Sequence, residues 1–380
     1  MNPHTHKPGS AIMTHILQLL PALNEGGVER GVVEINRELV RRGVRNTVIS
    51  AGGRLAPQID TDGGRHIALD VKSKNLLTVP LRVRRLRALI AELNPDIIHV
   101  RSRVPAWLVR LANRNPRRPV VSTVHGFYSV NAYSRIMTRA DRVICVSQAA
   151  VDYVRTNYDT PESIIRLVHR GIDPIAFDPA RLDADFVRDF KARHALNGRF
   201  VVLAVGRITS LKGYLELIEA AAIARNALPN PASLAVVIVG GVQQGQEAYA
   251  AELRARVTRL KLDDAVIFAG SQTRMAEIYD AADVVVSCNT SKPETFGRSM
   301  VEALAMNRPV IATRHGGALD IMQEGVTGWL VEPGDITGLA AGLVKAAQTR
   351  LTGLRASALE RFSLDVMVEK NLAIYRDVLG

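Results

Sequence analysis

The feature that most constrains this chain is a repeated alternation of short apolar runs with helical stretches. Runs that read as strands fall at residues 14–20, 47–50, 66–69, 96–100, 120–124, 142–146 and 164–168, most of them separated by segments of helical periodicity. From Gly171 to about Asn197 the rhythm breaks, and Asp173, Pro174, Asp178 and Pro179 mark a linker with a short helix. A second series follows at 200–205, 234–239, 266–268, 284–287, 310–312 and 329–331. Strand then helix, repeated, specifies an α/β fold, because parallel strands need crossovers long enough to hold a helix. Two such series predict two Rossmann-like domains with a cleft between them. A length of 380 residues, 47% of them apolar, suffices for two cores.

Residues 1–11 contain His4, His6, Lys7 and Pro8 but no apolar core, so they read as a loose leader rather than a signal peptide. No run approaches the ~20 apolar residues of a membrane span. Cys145 and Cys288 end apolar strand-like runs and can build neither a disulfide framework nor a CxxC metal site. They read as buried thiols of a reducing compartment, which implies a cytoplasmic location.

Net charge is +12, and its distribution is uneven: residues 1–170 hold 26 Lys+Arg against 13 Asp+Glu, and residues 171–380 hold 23 against 24. The excess predicts that the first half meets an anionic surface. Its densest stretch is 81–93, where Leu86, Leu89, Ile90 and Leu93 recur at helical spacing and the arginines form a solvated face, a candidate for peripheral contact with an anionic membrane.

The chemistry concentrates in Lys292-Pro-Glu-Thr-Phe-Gly-Arg-Ser-Met-Val-Glu302. Glu294 and Glu302 stand eight positions apart, the first on a loop and the second on an apolar helical pattern. With a helix starting near Arg298, the N–H groups of Gly297, Arg298 and Ser299 point out of its N-terminus, where the macrodipole favours phosphate. One carboxylate then takes hydroxyls of a ribose and the other hydroxyls of a sugar, with a diphosphate between. Gly206-Arg-Ile-Thr-Ser-Leu-Lys-Gly213 follows the first strand of the second series and places Arg207 and Lys212 at a strand's carboxyl end, where open α/β sheets bind ligands. Gly26 and Gly27 open the first helix, and His125 stands just past a strand end. Asp60-Thr-Asp62 has metal-motif spacing but lies in a polar loop, and Gly240-Gly-Val-Gln-Gln-Gly245 lacks the lysine of a P-loop, so it reads as a flexible turn.

The phrase E-T-F-G-R-S-x-x-E-A-L-A resembles the E-x7-E signature of retaining nucleotide-sugar glycosyltransferases with the GT-B fold, glycosyltransferase family 4. Gly206 to Gly213 is similar to the family's G-R-x-x-x-x-K-G phosphate segment, and Gly26-Gly-Val-Glu29 to its G-G-x-E loop. Arg314-His-Gly-Gly-Ala-Leu-Asp320 completes the likeness, with Leu319-Asp320 where many relatives have Pro-Glu. The resemblance implies two Rossmann-like domains facing each other across a deep cleft: a leader at 1–12, an acceptor-binding domain at 13–180, a nucleotide-sugar domain at 181–364, and a final helix, about 365–380, that returns to the first domain. It assigns Arg207 and Lys212 to the leaving diphosphate, Glu302 to the ribose, Glu294 and His125 to the donor sugar, and Gly26, Gly27, Phe296, Gly297, Arg298 and Ser299 to the donor site. No metal or other cofactor is expected where protein cations neutralise the diphosphate. Tyr128, Asn131 and Tyr133 are candidates to line the acceptor pocket. The expected partners are a nucleotide-sugar donor, with UDP favoured, and an anionic glycan or glycolipid acceptor such as lipopolysaccharide core, and no nucleic acid. The alternatives are another enzyme of this fold, an epimerase or phosphorylase, or a non-enzymatic binder of anionic polymer.

Overall fold

The computed structural model describes residues 14–24 and 26–380; the expected leader lies outside them. The chain forms two compact units. Among the described residues, unit 1 comprises those up to 145, 153–166 and 368–380, and unit 2 comprises 146–152 and 167–367. The sequence suggests one cut near 180, but the units interleave around residues 146–166, where composition gives no signal.

Unit 1 is built on β1 (His15–Leu19), β2 (Arg45–Ser50), β3 (Arg65–Ala68), β4 (Ile97–Val100), β5 (Val120–Val124), β6 (Arg142–Cys145) and β7 (Ile165–Leu167). They form a seven-stranded sheet in the order β3-β2-β1-β4-β5-β6-β7. Unit 2 contains β8 (Phe200–Val205), β9 (Leu234–Val239), β10 (Val266–Gly270), β11 (Val284–Ser287), β12 (Val310–Thr313) and β13 (Gly328–Val331), in the order β10-β9-β8-β11-β12-β13. The paired strands β1/β2, β1/β4, β8/β9 and β8/β11 are parallel. Each sheet winds outward from its first strand in both directions, so strand order reverses between β1 and β4 and again between β8 and β11. Both reversals leave a crevice at the carboxyl ends of the strands.

Alternation along the strands of unit 2 explains why they are apolar throughout. Val201, Leu203, Ala235, Val237, Val285, Val310 and Ala312 enter the core on one face of the sheet. Val202, Ala204, Val236, Ile238, Val284, Val286 and Ile311 enter the core on the other. A strand buried on both sides has no polar face to reveal its period. The apolar runs therefore place the strands, and the ladder sets their ends: residues 14–20 contract to His15–Leu19, and 266–268 extend to Gly270.

In unit 1 the basic helix spans Val79–Leu93, with Val83, Leu86, Ile90 and Leu93 buried and Leu89 half-buried. One of its arginines departs from the expected solvated face. Arg82 is buried, and its guanidinium donates to the carbonyls of Ser73 (2.9 Å) and Asn75 (2.8 Å), with longer contacts to Asp70 and Thr78. It holds the 70–78 loop together, a job that charge counting does not reveal. The C-terminal part of the last helix, Leu364–Leu379, belongs to unit 1: Asp377 pairs with Arg142 (2.7 Å) and Arg166 (3.0 Å), and Tyr375 bonds to His99.

Candidate functional site

The residues singled out in unit 2 gather at the reversal between β8 and β11. Lys212 lies on the segment after β8 and Glu294 on the segment after β11, and Lys212 Nζ meets Glu294 Oε2 at 2.6 Å. The backbone around this pair leaves no room for a larger residue. Gly213 has φ +68°, and a Cβ there would lie 1.8 Å from the Cys288 carbonyl oxygen. The Cys288 thiol donates to the Gly213 carbonyl at 3.2 Å, and Tyr214 donates its hydroxyl to Gly206 at 2.8 Å. From the other side, Gly316 and Gly317 press on residues 293–296: a Cβ on Gly316 would sit 2.4 Å from the Glu294 carbonyl oxygen, and one on Gly317 2.4 Å from Phe296 Cα. Gly317 N–H donates to the Glu294 carbonyl at 2.8 Å. The Arg314 to Asp320 segment thus acts by close backbone approach.

Burial opposes ionisation of Glu294, but the charges of Lys212, Arg170 and Arg207 together outweigh it and hold the carboxyl below its ordinary range. Arg207 itself is exposed and makes no side-chain hydrogen bond or ion pair among the described residues, so its donors remain open to an anion. Arg170 comes from just beyond the end of β7 and has no signature in the sequence.

The helix Arg298–Ala305 begins where expected, with Gly297 as N-cap at φ 97° and no side chain capping its first turn. Glu302 is 9% exposed, and both its oxygens are engaged: Oε1 by Arg298 Nε at 2.7 Å and Oε2 by the Tyr279 hydroxyl at 2.9 Å. Each oxygen keeps a further lone pair, but Glu302 reaches any ligand as a held group. Arg298 therefore contributes its side chain to orienting Glu302. The Phe296 side chain turns into the core: it is 2% exposed and packs against His169 and Phe362, with ring centroids 6.0 and 5.8 Å away. Asp320, where the expected Glu is shortened, still fastens its loop, accepting from Gln148 N–H at 2.7 Å and pairing with His169 Nε2 at 2.8 Å. Among the described residues no group of three or more His, Cys, Asp or Glu side chains is placed to hold a metal ion. Asp60 and Asp62 serve local contacts with His66 N–H and Gln58.

In unit 1 the first-loop glycines open the first helix, as the sequence predicts. Gly26 is the N-cap of the helix Gly27–Arg41, and its N–H is taken by the carboxylate of Glu29, so the chain caps this helix itself. His125 follows β5, is half-buried, and donates its N–H to the Tyr128 hydroxyl at 3.4 Å. Tyr128 and Tyr133 both face the Arg103 guanidinium, at 4.8 and 5.3 Å from their ring centroids, and Asn131 accepts from Ser134 N–H. Sequence reasoning missed Arg101 and Arg103; two arginines directly after a strand, as in His99-Val-Arg-Ser-Arg103, are the signal that could have found them.

Two Rossmann-like units, each with a reversal of strand order, define an enzyme of the GT-B class. Residues 25–175 match the model of Glycosyltransferase Family 4, and residues 186–358 match that of Glycosyl transferases group 1. The chain is 30% identical to D-inositol 3-phosphate glycosyltransferase 1 of Catenulispora acidiphila over 93% of its own length and 91% of that protein's. Its fold matches the crystal structure of a glycosyltransferase from Rickettsia africae with a TM-score of 0.87 at 29% identity, covering 97% of this chain and 99% of that one. Anabaena HepE, whose structure holds UDP and glucose, shares the fold at 23% identity and a TM-score of 0.81, over 94% of this chain and 98% of that one. This protein belongs to the group 1 glycosyltransferases of family 4 and is a hexosyltransferase.

Proposed function

We propose that the protein transfers a hexosyl unit, with retention at the anomeric carbon and without a metal ion, from a UDP-sugar to an anionic acceptor. The observation that carries this reading is the ion pair Lys212–Glu294 at the β8/β11 reversal, with the open guanidinium of Arg207 beside it. Departure of a nucleoside diphosphate builds negative charge, which fixed cations and a helix N-terminus stabilise. Lys212 and Arg207 take the diphosphate in this reading, together with the N–H groups at the start of Arg298–Ala305. Glu294, held ionised, accepts hydrogen bonds from hydroxyls of the transferred sugar, and Glu302, fixed by Arg298 and Tyr279, accepts from the ribose. The leaving diphosphate oxygen takes the proton of the acceptor hydroxyl on the same face of the sugar. In unit 1, His125 is the residue assigned to the transferred sugar. UDP is favoured because HepE, of the same fold, binds it.

An anionic acceptor is supported by the positive charge concentrated in residues 1–170 and by the inositol 3-phosphate named for the Catenulispora relative. Lipopolysaccharide core remains within this class, as do small phosphorylated polyols. Leu76, Leu77 and Leu81 are 81, 91 and 71% exposed beside Lys72, Lys74, Arg84 and Arg85. This ridge favours peripheral contact with the anionic cytoplasmic face of a membrane. Among the described residues no helix is long and apolar enough to cross one.

The test is a thermal-shift screen against UDP, GDP, ADP and their sugar conjugates, with and without EDTA. UDP and a UDP-sugar should stabilise the wild type equally in both conditions and fail to stabilise Arg207→Ala/Lys212→Ala. Stabilisation that needs a divalent ion, or that survives the double substitution, overturns the assignment.

A further inference from the structure

The first sheet has its own reversal of strand order, between β1 and β4, and a charged side chain there has no part in the donor reading. Arg101, the residue after β4, is 5% exposed, and its backbone N–H donates to the Leu19 carbonyl at the end of β1, 3.0 Å away. It therefore sits in the crevice where sheets of this kind take ligands. Its Nε (2.8 Å) and Nη2 (2.6 Å) both donate to one oxygen, Gln18 Oε1. Gln18 is fixed in turn by neutral amides: its Nε2 donates to Asn46 Oδ1 (3.0 Å), Asn46 Nδ2 to Asn36 Oδ1 (2.7 Å), and Asn36 Nδ2 to the Ile59 carbonyl (3.1 Å). The relay ends on a backbone carbonyl and contains no carboxylate.

Buried charges are ordinarily paired, because a desolvated ion costs more than a neutral hydrogen bond returns. Among the described residues no negative group near Arg101 meets that need. His99, on the same face of β4, bonds to the hydroxyls of Tyr375 and Thr123, both at 2.7 Å; burial, aided by the charges of Arg101 and His125, keeps it neutral. The carboxylate of Glu29 is committed to Gly26 N–H. Arg82, equally buried, is surrounded by backbone carbonyls, whereas Arg101 Nη1 bonds to nothing among the described residues and is not among the sealed-off polar atoms, so it meets solvent.

We propose that Arg101, oriented by Gln18, anchors an anion subsite of unit 1 that holds a phosphate or carboxylate of the acceptor. The assignment rests on the glycosyl-transfer reading and adds to it the group that selects the acceptor's charge.

The experiment is a thermal-shift titration of the full chain with inorganic phosphate, with D-inositol 3-phosphate and with uncharged myo-inositol. It compares wild type, Arg101→Met, Gln18→Glu and Arg207→Ala/Lys212→Ala. Gln18→Glu is nearly isosteric and supplies the missing counter-charge internally. Both phosphate probes should stabilise the wild type and the donor-site double variant, and myo-inositol neither. Arg101→Met and Gln18→Glu should weaken the phosphate response at least tenfold while UDP still stabilises both. If Arg101→Met loses the UDP response as well, Gln18→Glu decides. The proposal is overturned if phosphate has no effect on the wild type, if its effect vanishes with Arg207 and Lys212 and persists without Arg101, or if inorganic phosphate binds and the inositol phosphate does not. A wild type deaf to UDP counts against the donor assignment alone, since the phosphate arms are read in its absence.

Discussion

The two strand-order reversals occupy the same topological place in their sheets and treat a buried or half-buried cation in opposite ways. Between β8 and β11, Lys212 meets the carboxylate of Glu294 at 2.6 Å; between β1 and β4, Arg101 meets the neutral amide of Gln18 at 2.6 and 2.8 Å. A site for a sugar diphosphate needs both signs, cations for the phosphates and a carboxylate for sugar hydroxyls, and the two hold each other in place when the site is empty. A site for an anion alone needs only the cation, and a permanent counter-charge would compete with the ligand. The difference separates a preorganised ion pair from a charge left for a substrate to complete.

The largest effect should come from removing the cation of the balanced site. Lys212→Ala should lower kcat by about 10²–10³, or roughly 3–4 kcal/mol, the scale of losing one donor to developing negative charge. Steady-state transfer from the donor chosen by the thermal-shift screen would measure it, and a loss below tenfold would mean that Lys212 does not touch the leaving group. The same substitution alters pH dependence. In the wild type the Glu294 carboxyl lies below its ordinary 4.5, because Lys212, Arg170 and Arg207 outweigh burial. A lowered folded-state pKa contributes stability above the unfolded value that is lost as pH falls through the folded one. Without Lys212 the largest lowering influence is gone, burial gains weight, and the acid limb of the activity profile should move toward higher pH. An unmoved limb would show that another group sets it.

How far the sequence reveals these sites follows from what each depends on. The thirteen strands among the described residues were legible as apolar runs between turns, most clearly in unit 2, where burial on both faces makes the runs continuous. The residues that the proposed donor site uses were legible as candidates because a loop and a helix start carry them in one short stretch, Glu294 to Glu302, and one basic segment, Arg207 to Lys212. Arg170 and Tyr279 were not, because they reach Glu294 and Glu302 from distant elements and nothing in their neighbourhoods marks them. The inward turn of the Phe296 side chain was not legible either, because closeness in sequence to Glu294 says nothing about which way a side chain turns. The interleaved unit boundary was illegible for a related reason: residues 146–166 carry strand and helix patterns compatible with either unit.

The contrast between the two buried arginines of unit 1 sharpens the comparison. Arg82→Met removes the donor that holds the Ser73 and Asn75 carbonyls and should destabilise the protein by about 2 kcal/mol, as expected when hydrogen-bonded carbonyls lose their partner. Arg101→Met also strips the buried Gln18 Oε1 of both its donors, but it takes an unbalanced charge out of the interior at the same time, so it should destabilise the unliganded protein by less than Arg82→Met. Urea unfolding of the two variants side by side measures both. Equal destabilisation would erase the distinction between a structural arginine and one kept for a ligand.

The smallest effect probes how the balanced site is supported. Tyr279 is fully buried, and its hydroxyl reaches Glu302 Oε2 at 2.9 Å while Arg298 holds Oε1 at 2.7 Å. Tyr279→Phe keeps the ring's packing and removes one hydrogen bond to a carboxylate that retains its stronger partner, so the stability cost should be about 1.5 kcal/mol. Glu302 would then be free to rotate about the remaining contact. Because the ribose it serves in this reading lies away from the bond being broken, the consequence should be a severalfold rise in KM for the donor with kcat nearly unchanged. A fall in kcat with KM unaltered would place Glu302 at the reacting centre instead, and the assignments of Glu294 and Glu302 would have to be exchanged.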